Sequence, residues 1–226
     1  MTSARGRLVA LEGVDGSGKS TQAEILAASL GAVLTFEPGA TWLGRALRRL
    51  LLDPAPGTTD PAPGTTDLDL DVRAEALLMC ADRAQHVARA VAPALGAGRL
   101  VVTDRFSGST LAYQGYGRGL PVTELRQLTA WASAGVEADL TVVIDVPLGV
   151  ARQRLARAAP DRLERLDEGF FSRVRDGYLE LAAEDPVHWT VVDGTGEVEA
   201  VATAVREAVD RQPGIASSGQ PGGRCR

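Results

Sequence analysis

The sequence predicts an α/β fold, a parallel sheet of about five strands flanked by helices. Two observations carry that prediction. Leu100–Asp104 and Leu140–Val146 are short apolar runs without polar alternation, as in parallel strands covered on both faces. Helical stretches separate such runs, so strand and helix take turns along the chain, which implies βαβ units.

Arg7–Glu12 reads as the first strand, breaking into glycines at Gly13. Lys19–Leu30 is a helix with Ile25, Leu26 and Leu30 on its apolar side, stopped by Gly31. Ala32–Phe36 is the second strand and runs into Pro38-Gly39; Leu43–Leu52 is helical. Val72–Leu95 is a long helix stopped by Gly96, and Leu100–Asp104 is the third strand. Helical segments follow at Ser109–Gln114 and Val122–Ala134. Leu140–Val146 is a strand, followed by helices at Leu148–Ala158 and near Glu168–Ala183. His188–Val192 reads as the last strand and Glu197–Arg211 as the last helix.

A chain of 226 residues suits one domain, and 45% hydrophobic with 23% charged residues is ordinary globular composition. A net charge of −5 argues against a nucleic-acid coat or a basic membrane-surface protein. No apolar run reaches the roughly 18 residues of a membrane span, and the two cysteines form no disulfide framework, so a cytoplasmic location is expected. Residues 1–211 are read as a single domain. Within it, 54–67 repeat P-A-P-G-T-T-D in tandem, a composition that builds no packed face and suits a surface-loop insert; 212–226 read as a disordered tail.

Gly13-Val14-Asp15-Gly16-Ser17-Gly18-Lys19-Ser20 fits G-x-x-x-x-G-K-[ST] between a strand and a helix, the context that a P-loop requires. Glycines let backbone N–H groups turn inward around a phosphate, and the helix N-terminus adds partial positive charge. Of 24 basic residues, 23 are arginine and one is lysine, and that lysine is Lys19. A composition that replaces lysine everywhere else marks Lys19 as chemically required. In such a loop it reaches the β/γ-phosphates of ATP, and the Ser20 hydroxyl ligates Mg²⁺. Asp104 ends a strand at the ligand-binding edge, where a Walker-B acid holds Mg²⁺ or its waters; Arg105 follows it, placed to bridge donor and acceptor phosphates.

The chain resembles the thymidylate kinase family. The resemblance covers nearly all of it apart from the repeat and tail, and rests on Leu11–Gln22, Glu37-Pro38-Gly39, Ala81–His86, Asp104-Arg105-Phe106, Ser109–Gly119, Asp161–Glu164 and Arg173–Leu179. It implies phosphorylation of dTMP by ATP and Mg²⁺, in a homodimer with a mobile arginine-rich lid near residues 150–166. It implies that the P-loop through Thr21 binds ATP, that Asp15 bonds the acceptor sugar's 3′-hydroxyl, and that Arg105 binds the acceptor phosphate. Glu37, Met79, Arg83, Ser109, Thr110, Tyr113 and Gln114 complete the implied dTMP site, with Arg83 on the thymine O4 and Tyr113 against the sugar. Gly16 stands where some members carry arginine, so the lid is expected to supply the catalytic cation, from Arg162 first and Arg157 second.

Three departures stand out. Phe36 replaces an expected arginine, Met79 an expected phenylalanine, and the repeat lengthens a loop. Another P-loop nucleotide or nucleoside kinase, and a non-catalytic nucleotide-binding homologue, stay open as alternatives. His86 and His188 read as structural, and Trp42, Trp131 and Trp189 as packing residues.

Overall fold

The computed structural model describes residues 5–53, 70–155, 162–164 and 166–215. Five parallel strands, β1 (Leu8–Glu12), β2 (Val33–Phe36), β3 (Val101–Asp104), β4 (Leu140–Asp145) and β5 (Trp189–Asp193), form one sheet in the order β2-β3-β1-β4-β5. The α/β prediction holds, and every strand end falls within one residue of its expected place. Burial explains why. Along β1, Val9 and Leu11 pack on one side with Leu26, Leu30, Val205 and Val209, while Leu8 and Ala10 pack on the other with Val87, Val91 and Phe106. With both faces covered, the period of two leaves no polar residue to see.

The helices are α1 (Lys19–Leu30), α2 (Trp42–Leu52), α3 (Val72–His86), α4 (Ala92–Gly96), α5 (Ser107–Thr110), α6 (Val122–Ala132), α7 (Leu148–Leu155), α8 (Glu168–Glu184) and α9 (Val198–Asp210). The expected run from Val72 to Leu95 is continuous but holds a π-helical turn at Val87–Val91. Pro93 accounts for it: proline lacks an N–H and clashes with the carbonyl four residues back, and a widened turn just before it relieves both. Leu111–Gly117 is a second π-helical segment and continues α5. Asp71 caps α3 by accepting from the Arg73 and Ala74 amides, and Thr41 caps α2 through Gly44.

Some expectations need correction. Trp42 and Trp131 are 70% and 81% exposed, whereas Trp189 packs as expected. Ile25 faces solvent at the margin of α1's apolar side. The folded chain does not stop at residue 211, because Ile215 is buried against the α9 side of the sheet. The repeat 54–67, Arg157 with the rest of 156–161, and the chain beyond 215 lie outside the described residues. Among the described residues, no helix is long and apolar enough to cross a membrane.

The strand order fixes the site. β1 and β3 are parallel neighbours, and the order in which successive strands are laid down switches sides between them, so the loops after Glu12 and Asp104 open side by side at the carboxyl edge, where α/β sheets bind ligands.

Candidate active site

After β1 the chain curls through Gly13–Gly18 into α1. Gly16 sits at φ +81°, and a Cβ there would lie 2.3 Å from the Ala151 carbonyl oxygen on α7. No side chain fits, which gives a physical reason for glycine where an arginine is otherwise conceivable. Gly18 is left-handed as well and directly precedes the helix. Lys19 is buried, and its Nζ donates to Val14 O and Asp15 Oδ1, each at 3.3 Å. Burial and the nearby Arg105 charge lower its pKa, against the pull of Asp15 and Asp104. Val14 packs beneath the loop, the Ser17 hydroxyl is buried without a partner, and Thr21 is exposed on α1.

Ser20 Oγ donates to Asp104 Oδ2 at 2.5 Å, while Asp104 Oδ1 is buried with no partner. A hydroxyl and a carboxylate in contact, with one oxygen to spare, are the hard donors that Mg²⁺ takes when waters and substrate phosphates complete its shell. The two predicted metal residues thus fit the ion.

Arg105 adopts φ 71°, a left-handed backbone that turns its side chain from the end of β3 back over the P-loop. Its Nη1 donates to Ser109 Oγ at 2.9 Å; its Nη2 donates to Asp15 and to Tyr113 OH, and the guanidinium lies over the Tyr113 ring. Tyr113 OH also donates to Asp15 Oδ2 at 2.7 Å. Burial would raise the Asp15 pKa, but Arg105 and Lys19 hold it well below the ordinary carboxylate range. Beneath them the fully buried Glu12 accepts from the amides of Phe106 (2.9 Å) and Ser109 (3.0 Å), Ser109 Oγ (2.6 Å) and Tyr178 OH (2.9 Å). Burial raises its pKa, with Arg105 opposing.

All nine residues expected at the acceptor, Asp15, Glu37, Met79, Arg83, Arg105, Ser109, Thr110, Tyr113 and Gln114, line one cleft beside the P-loop. Arg83 donates to Glu37 Oε2 (2.9 Å), Thr110 Oγ1 (3.0 Å) and Phe106 O (2.8 Å). Glu37 is also held by His86 Nδ1 at 2.8 Å, whose Nε2 meets Thr35 Oγ1. His86 is therefore a buried strut, with an acidic partner too distant in sequence to be visible there. Sequence reasoning missed three further residues. Arg48 lines the cleft and donates to Pro38 O at 3.0 Å, which puts a cation near the place Phe36 leaves without one. Asp82 is buried, accepts from Gly39 N at 3.1 Å, and is pushed up to about 6 by burial and by Glu37. Leu163, from the segment expected to form the lid, lines the cleft as well.

Of the two arginines expected to supply the catalytic cation, Arg157 lies outside the described residues. Arg162 donates to Glu75 Oε2 and to Leu51 O. Among the described residues of the expected lid segment, Arg154 touches the P-loop: it donates to Ser17 O at 3.2 Å and to Gly194 O at 2.9 Å. It lies three residues after Ala151, on the face of α7 that abuts Gly16.

Comparison with known proteins agrees with this geometry. A family model described as thymidylate kinase matches residues 11–205. The thymidylate kinase of Cupriavidus necator is 43% identical over 202 residues, covering 86% of this chain and 93% of its own. That of Bifidobacterium longum (strain NCC 2705) is 43% identical over 209 residues, covering 90% and 97%. Among solved structures, the thymidylate kinase from Ehrlichia chaffeensis superposes with a TM-score of 0.70 at 31% identity, covering 91% of this chain and 99% of that one. A P-loop joined through Asp15 and Arg105 to an acceptor cleft, on a chain matched nearly end to end, places the protein in the thymidylate kinase family.

Proposed function

We propose that the enzyme transfers the γ-phosphoryl group of ATP to the 5′-phosphate of dTMP, giving dTDP and ADP, a step in dTTP biosynthesis. The observation that carries this reading is the convergence of all nine acceptor residues on one cleft that meets the P-loop. The acceptor oxygen is already ionised at neutral pH, so no general base is needed, and catalysis consists of alignment and charge neutralisation. Lys19 and the P-loop amides hold the β/γ-phosphates. Ser20 and Asp104 would hold Mg²⁺, which neutralises charge on the same phosphates when bound. Arg105, now paired with Asp15, turns to the acceptor phosphate, with Arg48 as a second cation; Asp15 then accepts from the sugar 3′-hydroxyl. Met79 lies against the base, Arg83 offers its remaining N–H groups to a carbonyl edge, and Tyr113 crowds the 2′ position. On the donor side Arg154 reaches the P-loop at Ser17 O, Arg157 follows it in sequence, and closure over the phosphates excludes water.

The reading extends to a cytoplasmic homodimer. Leu77 on α3 and Trp131 on α6 are exposed apolar side chains on two helices in mutual contact, which supports such an association. Coupled ADP release tests the function: dTMP should raise it strongly, and dUMP, dCMP and thymidine weakly. ADP release indifferent to dTMP overturns the reading.

A further inference from the structure

The acceptor cleft rests on a buried carboxylate that has no place in the reaction above. Glu75 stands in the first turn of α3, one turn before Met79 and two before Arg83, and is fully buried. Its Oε1 accepts from Gln114 Nε2 at 2.9 Å and Arg118 Nε at 3.3 Å. Its Oε2 accepts from Arg118 Nη2 at 2.9 Å and Arg162 Nη2 at 2.5 Å. Gln114 and Arg118 belong to the segment that carries Thr110 and Tyr113. Arg162 belongs to the lid and is also tied to the end of α2, through its Nε to Leu51 O (2.7 Å) and its backbone N–H to Leu52 O (3.0 Å). Burial would raise the Glu75 pKa, but the Arg118, Gln114 and Arg162 donors bring it below its ordinary value, so the group is an anion at neutral pH.

Two things follow from an anion at this point. A carboxylate only accepts, so Gln114 must turn its NH₂ toward Glu75, and the carbonyl is the end left to the cleft it lines. A carbonyl there accepts from a base edge bearing N–H, as thymine does at N3, and repels one bearing a bare ring nitrogen, as in cytosine. The same carboxylate anchors Arg162, and the next residue, Leu163, is buried as a wall of the cleft beside Met79 and Leu52.

We infer that Glu75 is the positioning residue of the acceptor site: it sets base selectivity by fixing the Gln114 amide, and it completes the cleft by holding Arg162 and so Leu163. This rests on the dTMP kinase reading. The test uses the full chain, comparing wild type, Glu75→Gln and Arg162→Gln for dTMP and ATP KM, for kcat/KM on dTMP against dCMP, and for Tm. A hydrogen bond to a charged group converts to about a tenfold to hundredfold effect. Glu75→Gln should raise dTMP KM by that much, hold ATP KM within about twofold, and narrow the dTMP preference over dCMP about tenfold. Arg162→Gln should raise dTMP KM less and keep the preference, since Gln114 remains held. A folded Glu75→Gln enzyme with unchanged dTMP KM overturns the inference. So does a loss shared by both substrates in step with Tm, which marks a purely structural role. If Glu75→Gln does not fold, Arg162→Gln decides alone: raised dTMP KM at constant ATP KM supports the inference, and unchanged dTMP KM refutes it. A wild-type enzyme inert toward dTMP would sink the kinase reading, and the inference with it. An active wild type with an indifferent Glu75→Gln variant sinks the inference only.

Discussion

Replacing Asp82 by Asn should make the protein more stable at alkaline pH than at acid pH, relative to wild type. Asp82 is buried beside Glu37, one of its oxygens has no partner, and its pKa rises from 3.8 to about 6. Because the folded state binds this proton more tightly than the unfolded chain, the stabilisation is fully present below about pH 4 and is lost as the pH rises through 6. The two pKa values put the loss at about 2 kcal/mol at pH 5 and about 3 kcal/mol at pH 8, so about 1 kcal/mol disappears between them. Asn keeps an acceptor for the Gly39 amide and carries no charge, so its stability lacks this slope. Its buried NH₂ costs about 1–3 kcal/mol if unpaired, but that cost is the same at every pH. For a chain of this size, 1 kcal/mol moves Tm by about 2–4 °C. The difference in Tm, variant minus wild type, should therefore climb by about 2–4 °C from pH 5 to pH 8, read by circular dichroism without ligand. Subtracting wild type removes the titration of Glu12 to first order. A difference constant to within about 1 °C refutes the assignment of a raised pKa to Asp82.

Lys19→Arg should abolish transfer and leave the fold intact, because the planar guanidinium misfits a buried cradle shaped around a point charge; activity within about tenfold of wild type, or 1.4 kcal/mol of barrier, contradicts this. Met79→Phe should change dTMP KM and spare ATP KM. Offset stacking on the base gains about 0.5–1.5 kcal/mol, and overpacking costs about 1–3. An unchanged dTMP KM with a shifted Tm would remove Met79, and Arg83 with it, from the base site. Gly16→Ala should weaken ATP binding and lower Tm, since its Cβ meets the Ala151 carbonyl at 2.3 Å in a left-handed backbone that itself costs about 1–2 kcal/mol. Calorimetry showing wild-type ATP affinity would mean that the loop and α7 are not packed as described.

What the sequence revealed and what it hid divide along physical lines. The P-loop was legible because each position has a steric or electrostatic demand that few residue types meet, and the strands because burial on both faces leaves an unbroken apolar run. The supports of the site were not. Glu12 meets Tyr178 and Glu75 meets Arg162, pairs separated by 166 and 87 residues, and a carboxylate carries no mark of a distant partner. Arginines on a short helix look alike in sequence, and it is the close approach of α7 to Gly16 that brings Arg154 to the loop. Trp42 and Trp131 are the reverse case, where large apolar side chains suggest a core and the fold leaves them outside.

The sheet is open, and its two edges carry a consequence for handling the protein. β2 forms one edge, with Leu34 and Phe36 45% and 44% exposed; β5 forms the other, with Val191 at 43%. Lysine is a common guard on such strands against sticking edge to edge, and a chain whose one lysine is committed to the P-loop has none to place there. Neither edge strand carries a proline. Four residues of β2 and five of β5 make short templates, and that brevity, with the exposed Asp193 at the end of β5, stands in for the missing lysine. A substitution that extended β2 beyond Phe36 would lengthen that template and invite self-association before it disturbed the chemistry.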